Sequence, residues 1–123
     1  MSTNEAKVVL VVEDEIMIWL VIRELLEGEG YQVRVAKNGR EALDSLSKEG
    51  LPNLILLDMK MPVMDGWQFA AEYDKLYARS APVVVMTAAG DAAKRAAEVH
   101  ADAWLGKPFE LEYLVNTVKK FTN

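Results

Sequence analysis

Three acidic residues follow two apolar runs of this chain. Asp58 ends the run Leu54–Leu57, and Glu13 and Asp14 follow the run Val8–Val12. Buried strands of an open α/β sheet present functional side chains at their carboxyl ends, so these carboxylates are expected in one crevice. Like charges this close raise one another's pKa values unless a cation neutralises them. The sequence therefore predicts a cation site at this crevice.

The type of cation follows from the available ligands. The chain has no cysteine, and its single histidine, His100, is far along the sequence from the acidic residues. A small set of carboxylate oxygens open to water suits Mg²⁺ better than Zn²⁺ or a closed Ca²⁺ cage. Thr87 and Lys107 follow two later apolar segments and bring a hydroxyl and an ammonium group to the same edge. The set then holds a nucleophile, a metal site and two groups for phosphate oxygens.

The apolar runs that position these residues have the pattern of a parallel sheet. Val8–Val12, Leu54–Leu57 and Val83–Met86 are continuous, as expected for central strands covered on both faces. Tyr31–Val35 alternates apolar and polar residues, and Ala103–Leu105 is short. We expect these last two segments to be the edge strands.

Segments of helical period lie between the predicted strands. Asp65 and Gln68 have the spacing of a capping box, and Asn38 opens an earlier helix. The predicted core-facing residues are Ile18, Val21, Ile22 and Leu25 in the first helix; Ala42, Leu43 and Leu46 in the second; Phe69, Tyr73 and Leu76 in the third; Ala93, Ala96 and Ala97 in the fourth; and Leu111, Leu114, Val115 and Val118 in the fifth. Because alanine buries little apolar surface, the fourth helix is expected to be the mobile element.

Five strands alternating with five helices predict an α/β fold, a doubly wound parallel sheet of flavodoxin-like type with strand order 2-1-3-4-5. At 123 residues the chain is expected to form one domain, residues 1–123 with a core at about 7–121. A formal net charge of -5 argues against direct binding of nucleic acid. The five-residue run Val8–Val12 is too short for a signal peptide or membrane span, so a cytoplasmic protein without a membrane partner is expected.

The motifs together resemble the receiver domain of bacterial two-component response regulators, in the single-domain, chemotaxis-regulator-like form. The resemblance covers about residues 7–121. The resemblance lies in four segments that follow one another in the family's order: Val11-Val12-Glu13-Asp14-Glu15, Leu56-Leu57-Asp58-Met59-Lys60-Met61-Pro62-Val63-Met64-Asp65-Gly66, Val85-Met86-Thr87-Ala88 and Lys107-Pro108-Phe109.

The resemblance implies that Asp58 accepts a phosphoryl group from a sensor histidine kinase or a histidine phosphotransfer protein. Asp14 and the backbone carbonyl of Lys60 would join Asp58 around Mg²⁺, and Glu13 would hold metal-bound water. The chain would catalyse only its own phosphorylation and dephosphorylation, and would otherwise not be an enzyme. Such a regulator passes its signal to a downstream protein partner that the sequence does not identify.

The resemblance also implies roles for residues on the later strands. Lys107 would neutralise charge on the phosphoryl oxygens, and Thr87 would donate its hydroxyl group to them. Thr87 and Trp104 would form a switch pair that changes the surface of the fourth helix, fifth strand and fifth helix. The alternative for Trp104 is simple packing on an edge strand. The family also places a cis peptide bond before the residue that corresponds to Pro108.

The first helix has more apolar residues than one buried stripe needs. The resemblance implies that this helix docks the phosphodonor protein, and an exposed Trp19 or Met17 beside Asp58 would suit that role. The alternative is a deeply buried helix in a crowded core. His100 lies where the family commonly has glycine, and we interpret it as a surface residue at a helix end rather than a phosphohistidine.

Three other functions are left open. A pseudo-receiver would act only as a protein-binding module. A phosphatase with an aspartate nucleophile needs a second acidic residue two places later, where this chain has Lys60. A flavodoxin-like electron carrier needs a loop rich in serine, threonine and glycine after the first strand, where this chain has Glu13, Asp14 and Glu15.

Overall fold

The computed structural model describes residues 6–123, and residues 1–5 of the predicted domain lie outside the described residues. The chain alternates five strands with five helices: β1 (Val8–Val12), α1 (Ile16–Gly28), β2 (Gln32–Ala36), α2 (Gly39–Glu49), β3 (Leu54–Asp58), α3 (Gly66–Tyr77), β4 (Val83–Ala88), α4 (Ala92–Glu98), β5 (Ala103–Lys107) and α5 (Leu111–Thr122). All strand pairs are parallel, in the order β2-β1-β3-β4-β5. The predicted fold class and strand order are confirmed.

The predicted centre and edges of the sheet are also confirmed. All of β3 and most of β1 and β4 are buried, because helices cover both faces of these strands. The edge strand β2 is only partly buried, and β5 has one exposed position, Trp104. Strand β5 continues to Lys107, two residues beyond its predicted end at Leu105.

The helices bury two separate cores on the two faces of the sheet. On one face α2, α3 and α4 cover residues that include Leu10, Val12, Ile55, Leu57, Val83 and Val85. On the other face α1 and α5 cover residues that include Val9, Val11, Leu54, Leu56, Val84 and Met86. Successive residues of each central strand therefore enter different cores, as the two-residue repeat of a strand requires.

Local sequence signals set the start of two helices. The side chain of Asn38 accepts a hydrogen bond of 2.9 Å from the backbone N–H of Glu41 at the start of α2. At the start of α3, Asp65 accepts from the N–H of Gln68 at 2.9 Å, and the Gln68 side chain accepts from the N–H of Asp65 at 3.0 Å. This is the predicted capping box, and it satisfies two donors that a helix end leaves unpaired.

The prediction of which helix residues face the core was wrong at five positions. Val21, Leu76 and Leu111 are exposed, by 41%, 60% and 46%. In α4, Ala93 and Ala97 are exposed, whereas Ala92 and Ala96 are buried.

The phase of each helix against the sheet explains these errors. In α3 the buried side chains are spaced by four residues, Phe69 and Tyr73, and the ring of Tyr77 extends the row at 5.9 Å from Tyr73. Leu76 lies outside this row. In α1 the buried residues are Ile22 and Leu26, also four apart. The spacing of apolar residues is compatible with burial of either of two adjacent faces of a helix. Which face is buried depends on the elements that pack against it.

Within residues 6–123, none of the helices has the length and apolar character that crossing a membrane requires.

Candidate functional site

The acidic crevice lies where the carboxyl ends of β1 and β3 meet. These strands are neighbours, and their register aligns Val12 with Leu57. The next residues along each strand bring Glu13, Asp14 and Asp58 together, with one carboxylate oxygen of each within 4.8 Å of the others. Glu13 and Asp58 are buried, and Asp14 is partly buried.

Backbone hydrogen bonds fix the start of this crevice. The N–H of Glu13 donates to the carbonyl of Ala36 at 2.9 Å, which extends the pairing of β1 with β2. The N–H of Glu15 donates to the carboxylate of Glu13 at 3.1 Å. The Glu13 carboxylate is therefore held over the end of β1 instead of extending into solvent.

Lys107 enters the same crevice from the end of β5. Its Nζ lies 2.6 Å from Glu13 Oε1 and 3.5 Å from Asp58 Oδ1. The peptide bond between Lys107 and Pro108 is cis. Thr87 is buried one residue beyond Met86, the register partner of Asp58. The structure thus places all five predicted acidic, hydroxyl and ammonium residues at one edge of the sheet.

Burial and like charge raise the carboxyl pKa values in this crevice. Burial raises the pKa of Glu13 to about 7, with a further upward effect from Asp58, against the lowering effect of the hydrogen bond from Lys107. Burial and the charge of Asp14 also raise the pKa of Asp58, while Lys107 opposes them. One lysine therefore does not neutralise the three carboxyl groups.

The pKa of Lys107 is raised, whereas burial alone would lower the pKa of a lysine. Burial favours the neutral amine, but the hydrogen bond to Glu13 and the charge of Asp58 outweigh it and raise the pKa. Lys107 is consequently a fixed positive charge at any pH at which the fold is expected to operate.

The β3–α3 loop is packed tightly against the end of β3. The N–H of Gly66 donates to the carbonyl of Met59 at 2.9 Å. A Cβ atom added at Gly66 would lie 2.7 Å from Met59 Cα and 2.8 Å from the carbonyl oxygen of Asp58, so only glycine fits. This contact fixes the backbone beside Asp58. Lys60 lies in the same loop with an exposed side chain, and the proposed ligand role of its carbonyl stays a prediction.

The predicted switch pair lies on one face of the sheet. Thr87 is aligned with Gly106, and Trp104 is aligned with Val85. Because residues two apart on a strand share a face, Thr87 and Trp104 are diagonal neighbours on the face that α4 covers. Trp104 is 49% exposed. Their coupling stays a prediction.

The β4–α4 loop contacts β5 directly beside Thr87. The N–H of Ala89 donates to the carbonyl of Lys107 at 3.1 Å. An added Cβ at Gly106 would lie 2.7 Å from Ala89 Cα, so the two backbones approach as closely as glycine permits. The loop that leads into α4 is therefore attached to the end of β5.

An apolar groove of about 460 Å³ opens beside Lys107. It is lined by residues of α1, of the ends of β4 and β5, and of the segment that leads into α5: Met17, Ile18, Val21, Ile22, Ala88, Lys107, Pro108, Phe109 and Leu111. Met17 is 72% exposed, as expected. Trp19 is partly buried, packs against the core of α1 and α5, and does not line the groove.

Two features near α4 bear on earlier expectations. His100 is exposed after the end of α4 and adopts a positive φ of 54°, so it is a surface residue at a helix end, as interpreted. Trp67, for which the sequence analysis assigned no role, contacts Arg95 and Glu98 of α4. Its partners lie some thirty residues away, and no local pattern pointed to them.

The strand order defines a flavodoxin-like α/β fold, and the acidic crevice lies at its β1–β3 switch point, at the carboxyl ends of the strands. The family model described as the response regulator receiver domain matches residues 9–119. The chain belongs to this family, the receiver domains of two-component signalling.

Known relatives agree with this assignment. Sporulation initiation phosphotransferase F of Bacillus subtilis is 37% identical over 115 residues, which are 92% of this chain and 91% of that protein. The transcriptional regulatory protein CrdR of Helicobacter pylori is 36% identical over 119 residues, and the match covers 95% of this chain but only 55% of that protein. This chain spans about half the length of several such curated relatives.

Solved structures show the same architecture. The chemotaxis response regulator CheY4 of Vibrio cholerae superposes with a TM-score of 0.85 at 31% sequence identity, covering 95% of this chain and 99% of the other.

Proposed function

We propose that the chain is a phosphoacceptor switch of a two-component phosphorelay, in which Asp58 accepts a phosphoryl group from a histidine kinase or a phosphotransfer protein. The observation that carries this proposal is the convergence of carboxylate oxygens of Glu13, Asp14 and Asp58 within 4.8 Å, with Lys107 Nζ at 3.5 Å from Asp58. This is the charge arrangement that a phosphoryl-transfer site needs.

The residues of the crevice fit Mg²⁺. The three clustered side chains offer carboxylate oxygens, which are ligands that Mg²⁺ prefers, and their formal charge of -3 exceeds the +1 of Lys107. Asp14, Asp58 and the backbone carbonyl of Lys60 would hold the ion, and Glu13 would hold it through water. When bound, Mg²⁺ supplies positive charge to the carboxylates and to the phosphoryl oxygens.

The protein residues have distinct roles in the transfer. A carboxylate oxygen of Asp58 attacks the phosphorus in line, a new P–O bond forms, and the P–N bond to the donor histidine breaks with its electron pair remaining on nitrogen. Lys107 pairs with the added phosphoryl oxygens, and Thr87 donates its hydroxyl group to them. The phosphoryl group carries roughly 1.5 to 2 negative charges, which replace the single negative charge of the Asp58 carboxylate and lie beside the carboxylates of Glu13 and Asp14.

The donor protein is proposed to dock at the apolar groove beside Lys107. Met17, Val21 and Leu111 line this groove and leave 72%, 41% and 46% of their surface exposed. Exposed aliphatic side chains on one helix are suited to the apolar face of a partner helix. A helix in this groove would lie next to Lys107 and so place its phosphohistidine near Asp58.

The output is proposed to act through the surface of α4, β5 and α5. Trp104 and Tyr113 are exposed on this surface, by 49% and 57%. Signalling would change it through Thr87 and the β4–α4 loop, so that a downstream protein binds one form in preference to the other. In this proposal the chain is cytoplasmic, has no external substrate and does not contact nucleic acid directly.

Intact-mass measurement after incubation with Mg²⁺ and acetyl phosphate tests the proposal. We expect the wild-type chain to gain one phosphoryl group and Asp58→Asn to gain none. Asp44→Asn, at an exposed position of α2, is the matched control and should behave as wild type. Absence of any gain would favour a pseudo-receiver, and equal gain in Asp58→Asn would move the site elsewhere. Sustained release of phosphate from sugar phosphates would favour a phosphatase.

A further inference from the structure

Helix α4 is held to the molecule by little apolar surface. It has seven residues, of which only Ala92 and Ala96 are buried, and Val99 follows its end. The other helices bury leucine, isoleucine, valine or aromatic side chains against the sheet. Because alanine contributes little burial, other contacts must fix the position of α4.

Those contacts come from α3, at a group of residues that we name the Trp67 cluster: Trp67, Arg95 and Glu98. The indole Nε1 of Trp67 donates a hydrogen bond of 2.9 Å to Glu98 Oε1. The guanidinium carbon of Arg95 lies 5.2 Å from the centroid of the indole ring. Arg95 Nη1 lies 3.3 Å from Glu98 Oε1, which closes the cluster. The pKa of Glu98 is lowered, chiefly by the hydrogen bond from Trp67.

The far end of α4 is attached to the same side of the molecule. Arg79 donates to the backbone carbonyls of Val99 and His100 and pairs with Asp74 of α3 at 2.7 Å. The start of α4, in contrast, follows the β4–α4 loop, where Ala89 packs against β5. One end of α4 is thus connected to the acidic crevice, and its middle and far end are connected to α3.

We propose that the Trp67 cluster holds α4 in the position of the unphosphorylated state and opposes its movement on phosphorylation. This inference rests on the proposed function, because it assigns the cluster a part in regulating the Asp58 site. The contacts are polar, cationic and aromatic, so a small displacement of α4 breaks them together, which a gradual change of apolar burial would not do. Coupling between two sites is reciprocal. Loss of the cluster therefore makes both α4 displacement and phosphorylation of Asp58 more favourable.

Two variants remove single contacts of the cluster. Trp67→Phe keeps a ring beside Arg95 but removes the N–H donor, and Glu98→Gln keeps the oxygen acceptor but removes its charge. The matched control is Glu72→Gln on α3, because Glu72 has no ion pair among the residues that the structure describes. In each protein, amide hydrogen exchange of α4 and β3 is measured without phosphodonor, and the rate of phosphoryl gain is measured with Mg²⁺ and acetyl phosphate.

We expect exchange of α4 amides to rise about two- to fivefold in Trp67→Phe and Glu98→Gln, the range that one cation–π contact or exposed charged hydrogen bond supports. Exchange of β3 amides should be unchanged, and phosphorylation should accelerate by a similar factor. Unchanged α4 exchange, or equal increases in α4 and β3, would overturn the proposal, as would faster exchange without faster phosphorylation. If the wild-type chain gains no phosphoryl group, the proposed function itself fails, and the exchange data still decide whether the cluster holds α4.

Discussion

Lys107 forms its shortest ion pair with Glu13 and not with Asp58. The distance from Lys107 Nζ to Glu13 Oε1 is 2.6 Å, against 3.5 Å to Asp58 Oδ1. Glu13 is fully buried, so its carboxylate depends on this lysine for neutralisation. The lysine that the family motif assigns to the phosphoryl group therefore stabilises a different carboxylate in the absence of that group.

Removal of this lysine should destabilise the fold measurably. At pH 8, Lys107→Met leaves the buried Glu13 carboxylate without its partner, and we expect a loss of about 2 to 3 kcal/mol in the free energy of unfolding. Lys119→Met is the control, because its pair with Glu29 is at the surface and should contribute under about 1 kcal/mol. Urea unfolding measures both. The double variant Lys107→Met with Glu13→Gln should recover most of the loss, and additive losses would contradict the pairing.

The stability of the metal-free protein should fall as the pH rises from about 5 to 7. Glu13 has a folded-state pKa of about 7, above its ordinary value of 4.5, so the folded state binds more protons than the unfolded state in this interval. The free energy of unfolding then decreases by on the order of 2 to 3 kcal/mol and levels off above pH 7. Asp58 contributes in the same direction because its pKa is also raised. Unfolding in EDTA at several pH values measures the slope.

Glu13→Gln provides the comparison for this slope. The variant should lose most of the pH dependence and keep the part due to Asp58. An equal slope in wild type and variant would assign the effect to other groups.

Binding of Mg²⁺ should depend on Asp14. Asp14→Asn removes one of the three clustered carboxylates, and we expect the Mg²⁺ affinity measured by calorimetry to fall by at least about tenfold. In wild type, Mg²⁺ at about 100 times its Kd should add about 2.7 kcal/mol to the free energy of unfolding. The exposed Asp44→Asn variant should bind as wild type does. Equal affinity in Asp14→Asn would exclude this residue from the site.

Substitution of Gly66 should disturb the loop beside Asp58. In Gly66→Ala the new Cβ meets backbone atoms of Met59 and Asp58, which cannot rotate away as a side chain would. We expect a loss of about 1 to 3 kcal/mol in urea unfolding. Gly90→Ala is the matched control, since no heavy atom lies within 4 Å of its added Cβ. A neutral Gly66→Ala would show that the β3–α3 loop is free to shift.

The sheet and its site were predictable because their signals are local. Continuous apolar runs identified the central strands, and the acidic residues came directly after two of them. The capping residues Asn38 and Asp65 indicated where two helices begin. The parallel order then placed Glu13, Asp14 and Asp58 together, since carboxyl ends of parallel strands share one edge.

The remaining features depend on contacts between distant segments. Val21, Leu76 and Leu111 have core spacing but are exposed, because neighbouring elements decide which of two adjacent helix faces is buried. Lys107 pairs more closely with Glu13 than with Asp58, and its distances to the two carboxylates differ by less than 1 Å. The contact of Trp67 with α4 depends on how α3 and α4 pack. Sequence periodicity carries no information at these scales.

The ion pair between Glu13 and Lys107 joins residues that are 94 positions apart in the chain. Glu13 follows the first strand and Lys107 ends the last, so the crevice is complete only after every strand has paired. Long-range pairings of this kind form late, because loop closure costs entropy before contacts repay it. A growing chain that has not yet added β5 contains Asp58 but lacks Lys107. In the proposed function, phosphotransfer that needs Lys107 therefore cannot begin before β5 has joined the sheet.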